Sequence, residues 1–154
     1  MRSDAVTPRA TPTLKSAYPQ LVPLSTRWSD NDAYGHLNNV IYYSLFDTAV
    51  NRHLLDHGVL DIANSPVVGL VIETRCTYFA SLAYPDAIEV GLKVVRLGNS
   101  SVTYEVAIFR ADQDRAAAVG AFTHVYVDRV SNRPARIPEP VRVLLSTLVA
   151  GPAA

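Results

Sequence analysis

The spacing of apolar residues changes period along the chain, and each change predicts a different element. From Val40 to His57, Ile41, Leu45, Phe46, Ala49, His53 and Leu54 recur every three or four residues, which predicts a helix with one buried face. Asn38 or Asn39 stands ready to cap it, because a short amide oxygen can accept a bond from a free first-turn N–H. Gly58 follows where a left-handed residue should end the helix, and His53 and His57 suit the negative end of its dipole. Beyond the helix the period falls to two. Leu70, Ile72, Thr74, Cys76 and Tyr78 alternate with Val71, Glu73, Arg75, Thr77 and Phe79. The same alternation runs through Ile88–Val94, Val102–Phe109 and Val119–Val127, with turn signals at Pro85-Asp86, Gly98-Asn99 and Asp112 to Asp114. Four strands joined by short turns predict an antiparallel meander, since parallel pairing needs long crossovers. A short strand from Gln20 to Trp28 precedes the helix, and Pro23 confines it to a sheet edge or a strand start. Pro138-Glu139-Pro140 opens a last short helix with Val141, Leu144, Leu145 and Leu148 as its apolar stripe.

One long helix beside a large antiparallel sheet must bury its stripe on that sheet, so the expected class is α+β, a helix laid across one curved face. The strands expose more apolar surface than one helix covers, and self-association is the expected remedy. At 154 residues the chain is one domain's worth and contains no internal repeat. Residues 1–18 mix Pro, Thr, Ala and Ser without an apolar period and read as a flexible N-terminal arm, with residues 19–150 as the single domain.

Charge and composition narrow the partners. Fourteen basic residues balance fourteen acidic ones, so no net positive field favours nucleic acid or an anionic membrane. No apolar run reaches the length of a membrane span, and the first residues lack a signal-peptide layout. The single cysteine, Cys76, suits a reducing cytoplasm and excludes an internal disulfide.

Titratable side chains crowd in one place. The loop Ser29 to Asn39 puts Asp30, Asp32 and His36 within seven residues, just ahead of a helix N-terminus. Backbone N–H groups there can face an oxygen that gains negative charge, while a carboxylate beside them serves as base or nucleophile. These are the parts of an acyl-transfer site. The same residue types also make helix caps and Asx turns, and spacing alone does not separate the two readings.

The run Arg27-Trp28-Ser29-Asp30-Asn31-Asp32-Ala33-Tyr34-Gly35-His36-Leu37-Asn38-Asn39-Val40-Ile41-Tyr42 resembles the opening motif of hotdog-fold acyl-CoA thioesterases of the 4-hydroxybenzoyl-CoA thioesterase-like family. Its His36-Leu37-Asn38-Asn39-x-x-Tyr42 portion is also similar to a His-Val-Asn-Asn-x-x-Tyr segment of plant acyl-carrier-protein thioesterases. The turn Leu97-Gly98-Asn99-Ser100-Ser101 looks like the family's Gly-x-Ser turn. The resemblance implies a hotdog fold, hydrolysis of acyl-CoA or acyl-carrier thioesters, no cofactor and no metal. It further implies a homodimer or a dimer of dimers with the active site between subunits. By the same resemblance Asp32 is the catalytic carboxylate, as nucleophile or general base. His36 matches a catalytic His of the acyl-carrier branch, and Asn39 falls where a helix amide polarises the carbonyl. Gly35 is the loop glycine, Asn38 orients the acid or the His, and Tyr42 is the helix tyrosine facing the substrate. Tyr34 departs from the Asn of the acyl-carrier branch. Glu73 falls where some branches place a second carboxylate, with pairing to Arg75 as the plain alternative. An enoyl-thioester hydratase and a non-catalytic acyl-thioester binding module are the rival functions on the same fold.

His53 and His57 read as structural or solvated, and His124 as a half-buried sheet residue beside Phe122 and Tyr126. Arg129, Arg133 and Arg136 could meet coenzyme phosphates, or form a solvated basic turn.

Overall fold

A computed structural model describes residues 11–149. Strand β1 (Gln20–Ser25) leads through the loop to helix α1 (Ile41–Asp56). Strands β2 (Val67–Tyr78), β3 (Ala87–Leu97), β4 (Ser101–Arg110) and β5 (Ala118–Asp128) follow, and α2 (Glu139–Ser146) closes the chain. The predicted helix and its glycine stop are in place, with Gly58 at φ +68°. The predicted first strand is shorter than its pattern suggested. It stops at Ser25, and Trp28 begins a three-residue 3-10 turn where its ring is 80% exposed.

All five strands pair antiparallel in the order β1-β3-β4-β5-β2. The expected meander therefore holds for β3-β4-β5 and fails for β2, which joins β5 at the far edge instead of pairing with β3. Alternation specifies which face of a strand is buried, not which neighbour it takes. Residues 79–86 cross the end of the sheet instead of forming a hairpin: Phe79 and Ala80 bond to Ala117 O, while Leu82 is buried and accepts a bond from Leu37 N–H.

One face of the sheet carries the core. Phe46, Ala49 and Val50 of α1 are at most 1% exposed and pack with Val90, Leu92, Val106 and Phe122. The Phe46 ring of the helix rests against Gly120. A side chain there would strike the backbone carbonyl of Arg75 and come within 2.6 Å of Phe46 Cε2. On the opposite face the N-terminal segment is docked, not loose, from Thr13 onward. Ala116 N–H bonds to Thr13 O, Lys15 pairs with Glu89 at 3.1 Å, and Tyr18 is buried against Phe109 with its hydroxyl on Glu105. Tyr18 supplies the apolar anchor that composition concealed. Residues 1–10 of the expected arm lie outside the described residues.

His124 is not half-buried as its strand position suggested but 2% exposed, because α1 covers that row of the sheet. Burial lowers its pKa from 6.5 to about 4. Between those values the unfolded chain binds a proton that the folded chain refuses. Stability is therefore full above pH 6.5 and declines as the pH falls toward 4. The decline from this group amounts to roughly 3 kcal/mol. His53, lowered first by burial and then by His57, acts in the same direction. Urea midpoints at pH 7 and pH 4.5 check this: the drop should be smaller in His124→Phe than in the native sequence.

Candidate active site

The loop before α1 folds into a small hairpin because its side chains and glycine supply the bonds of a tight turn. Asp32 N–H donates to His36 O (2.8 Å), Gly35 N–H donates to Asp32 O (3.1 Å), and Asn31 and Leu37 form a bridge. Gly35 takes φ +80°, a left-handed conformation that a Cβ disfavours, and no atom lies near its side-chain position. Its role here is the turn alone. Leu37, 4% exposed, pins the hairpin to the core, and Asn31 Oδ1 accepts a bond from Tyr84 N–H at 2.9 Å.

The two loop carboxylates have different fates. Asp30 is 2% exposed and wholly engaged: Arg27 N–H donates to Oδ2 (2.8 Å), and the Arg27 guanidinium donates twice to Oδ1 (2.8 and 3.0 Å). It holds the loop's base. Asp32 is half-buried; its Oδ1 accepts from Tyr34 N–H (2.8 Å), and its Oδ2 has no donor among the described residues. Asp32 caps no helix. Among the described residues no side chain caps α1 directly; Asn38 accepts the N–H of Val40, the residue before the helix, on Oδ1 (3.1 Å) and the Ile41 N–H on its backbone oxygen (2.9 Å). The N–H of Asn39 has no acceptor among the described residues. It lies two residues ahead of the positive end of the 16-residue α1.

A cleft of about 540 Å³ opens between this loop and the chain leaving β2. Asp32, His36, Asn38, Asn39 and Tyr42 line it together with Tyr78, Phe79, Ala80 and Ser81. Tyr42 is buried, and its ring meets that of Tyr78 edge-on at 4.8 Å. Tyr78 donates its hydroxyl to Asn39 O (2.8 Å), tying the end of β2 to the helix start. Burial holds both tyrosines above their usual pKa, so both hydroxyls stay protonated and able to donate. Gly35 sits at the turn outside the lining, and His36 lies exposed at the rim.

Glu73 is apart from this group. It pairs with Thr123 on the sheet face that α1 does not cover and lies outside the cleft, and it forms no ion pair with Arg75 among the described residues. Arg129 donates to Ser65 O and Ile62 O and so closes a loop, far from the Asp32 hairpin in the fold. Periodicity placed Tyr78 and residues 79–81 in a strand or a connection and missed them as site residues. A tyrosine hydroxyl at a strand end, where the alternation stops, was the available signal. Among the described residues no three His, Cys, Asp or Glu side chains converge to hold a metal ion.

A thioesterase-like superfamily model matches residues 26–145, a span that contains the hairpin, the cleft and the whole sheet from β2 onward. Among solved structures the chain is similar to the PA5185 protein of Pseudomonas aeruginosa strain PAO1, with 52% identity and TM-score 0.89 over 90% of this chain and 97% of that one. It is similar to the PA2801 protein of Pseudomonas aeruginosa at 26% identity and TM-score 0.75, over 82% and 97% of the two chains. Slr0204, a 1,4-dihydroxy-2-naphthoyl-CoA thioesterase from Synechocystis, shares the fold at 15% identity and TM-score 0.74, over 82% and 94%. No curated protein sequence matches the chain.

Proposed function

The chain belongs to the thioesterase-like superfamily and has its hotdog fold, and from that premise we propose that it hydrolyses acyl-CoA thioesters to the free acid and the coenzyme thiol. One observation carries the reading. Of the loop's two carboxylates, the one with an unengaged oxygen lines the same cleft as Asn39, whose N–H, two residues ahead of α1, is open among the described residues. The thioester carbonyl oxygen sits at that amide, where the helix dipole and the Asn39 N–H stabilise the charge that develops on it. Asp32 attacks the carbonyl carbon, or removes a proton from the water that does, and the thiolate departs. Direct attack forms an Asp32–acyl anhydride that water then opens. A single turnover in ¹⁸O-water bears on it: ¹⁸O on the Asp32 carboxylate with an unlabelled first acid shows direct attack followed by opening at the Asp32 carbonyl. His36 at the rim reaches the leaving group, Asn38 keeps the helix start in place, and Tyr42 forms the wall. The Glu73 carboxylate, on the other sheet face, is an accessory at most when a second subunit brings its own cleft near. A thiol-release screen over short, long and aryl CoA esters tests the activity. Steady release supports it. Hydration of an enoyl ester with no release, or tight binding with neither, overturns it.

The protein works as a homodimer paired along β2. The sheet has two edges, and they differ. β1 is six residues long and carries Pro23, which blunts an edge by lacking an N–H. β2 is twelve residues long, and Leu70, Val71 and Ile72 at its middle are 45, 46 and 63% exposed. A long apolar free edge is a template for a second copy. A lysine at Ile72 should convert the dimer to a monomer in light scattering and lower activity with it; an unchanged mass would place the contact elsewhere. No helix among the described residues is long and apolar enough to cross a membrane. We read the compartment as the cytoplasm, a reading that a coenzyme ester as substrate and the unpaired Cys76 support.

A further inference from the structure

A second cavity, of about 190 Å³, lies at the other end of α1 from the Asp32 cleft. Leu54 of the helix, Val59 of the loop after it and Val67 of β2 form apolar walls, and His124 and Tyr126 of β5 lie at its buried side. Two polar atoms there are unexplained by the fold. His124 Nδ1 and Tyr126 Oη have no hydrogen-bond partner among the described residues, although the two side chains are 2% and 3% exposed. Buried polar groups are normally partnered, because an unmatched one forfeits its hydration. Gly69 lies against the imidazole: a Cβ there would stand 3.1 Å from His124 Cγ and Nδ1, so the ring would have to give by a few tenths of an ångström.

The chemistry of the lining selects its occupant. Burial keeps the imidazole neutral, with a pKa near 4, and holds the Tyr126 phenol protonated, its pKa pushed up to about 12. Asn51 and Arg129 also line the cavity, and two of the Arg129 guanidinium nitrogens are held by Ser65 O and Ile62 O. At the buried side, two uncharged hydrogen-bonding groups among apolar side chains suit an uncharged oxygen, a hydroxyl or a carbonyl, on a compact apolar body. A cavity of about 150 Å³ holds one benzene ring, so this one takes a single ring or a chain of about six carbons.

Position says where that body comes from. Gly69 and Val67 begin β2, and Tyr78 ends it beside the Asp32 cleft; Gly69, Cys76 and Tyr78 pair with Tyr126, Gly120 and Ala118, on the sheet face that carries α1. Antiparallel pairing of two β2 strands about a two-fold axis sets the Val67 end of one protomer beside the Tyr78 end of the other, with both helices on one face. We propose that this cavity receives the far end of the acyl group whose carbonyl lies in the other protomer's Asp32 cleft. The preferred substrate is a compact acyl ester ending in an uncharged oxygen bound by His124 and Tyr126. This rests on the hydrolase reading and on the β2 dimer.

Two measurements on the full chain test it. In the first, phenol and benzene are titrated while the His124 ring signals are followed by NMR. Phenol should bind about tenfold more tightly than benzene, a gap that Tyr126→Phe closes. Equal affinities, or no binding, overturn the site. In the second, kcat/KM is compared for 5-oxohexanoyl-CoA, 5-methylhexanoyl-CoA and acetyl-CoA. The keto ester should exceed its methyl counterpart about tenfold in the native chain and by little in Tyr126→Phe. Gly69→Val should depress both hexanoyl-chain esters relative to acetyl-CoA. An unchanged ratio overturns the acyl assignment even where phenol binds. Selective phenol binding by a protein that hydrolyses none of these esters overturns the hydrolase reading, and the acyl assignment with it, but retains the site.

Discussion

Asp32→Asn should lower the turnover of a good acyl-CoA substrate by about 10²–10⁴-fold, the range expected when a positioned acid–base group is lost. The structure explains why the fold should not suffer. The one bond made by the Asp32 side chain accepts the Tyr34 N–H, and an asparagine oxygen accepts it equally well. Circular dichroism and the urea midpoint should therefore stay near native values while thiol release collapses. Asp30→Asn is the matched control. Asp30 is buried against Arg27, so its loss should cost stability, about 1–3 kcal/mol for a charge-assisted buried contact, through the loop's base. An Asp32→Asn protein with near-native turnover would remove Asp32 from the chemistry. A collapse of turnover in Asp30→Asn with unchanged stability would assign the role to the wrong carboxylate.

The second large effect concerns the seat of α1. Phe46 is fully buried over Gly120, and Phe46→Ala should destabilise the domain by about 3–5 kcal/mol, because the sheet below cannot rise to fill the gap. Gly120→Ala attacks the same contact from the other side. Its new methyl meets the Arg75 carbonyl and the Phe46 ring, an overpacking cost of about 1–3 kcal/mol. The two sites touch, so their effects should not add. Phe46→Leu combined with Gly120→Ala should recover part of the loss that Gly120→Ala causes alone. Chemical denaturation of the four proteins measures this. Strict additivity would show that α1 does not rest on Gly120 as the structure has it.

Both predictions turn on facts of different legibility. The spacing of Ile41, Leu45, Phe46, Ala49 and Leu54 revealed the helix and its buried side, and four of these five residues are buried. Nothing in the spacing pointed to Gly120 as the place where that side lands. A glycine in a strand pattern marks a close approach without naming the visitor. The two aspartates of the loop were equally visible as letters. Only the bonds of Arg27 separate the one that is consumed from the one that is left over.

Local chemistry determined what local rules govern: the period of each element, the helix stop at Gly58, the turn at Gly35 and the acidic loop ahead of a helix. These depend on residues within one turn or one strand of each other, and neighbours in sequence decide them. The tertiary structure alone decided that β2 runs beside β5, that Tyr18 docks the N-terminal segment, that Tyr78 closes the cleft from across the sheet, and that His124 and Tyr126 share a buried cavity. Each of these joins residues far apart in the chain. Such pairings are chosen by how apolar faces and unmatched polar groups fit in three dimensions, a sum over the whole fold that no short window of sequence contains.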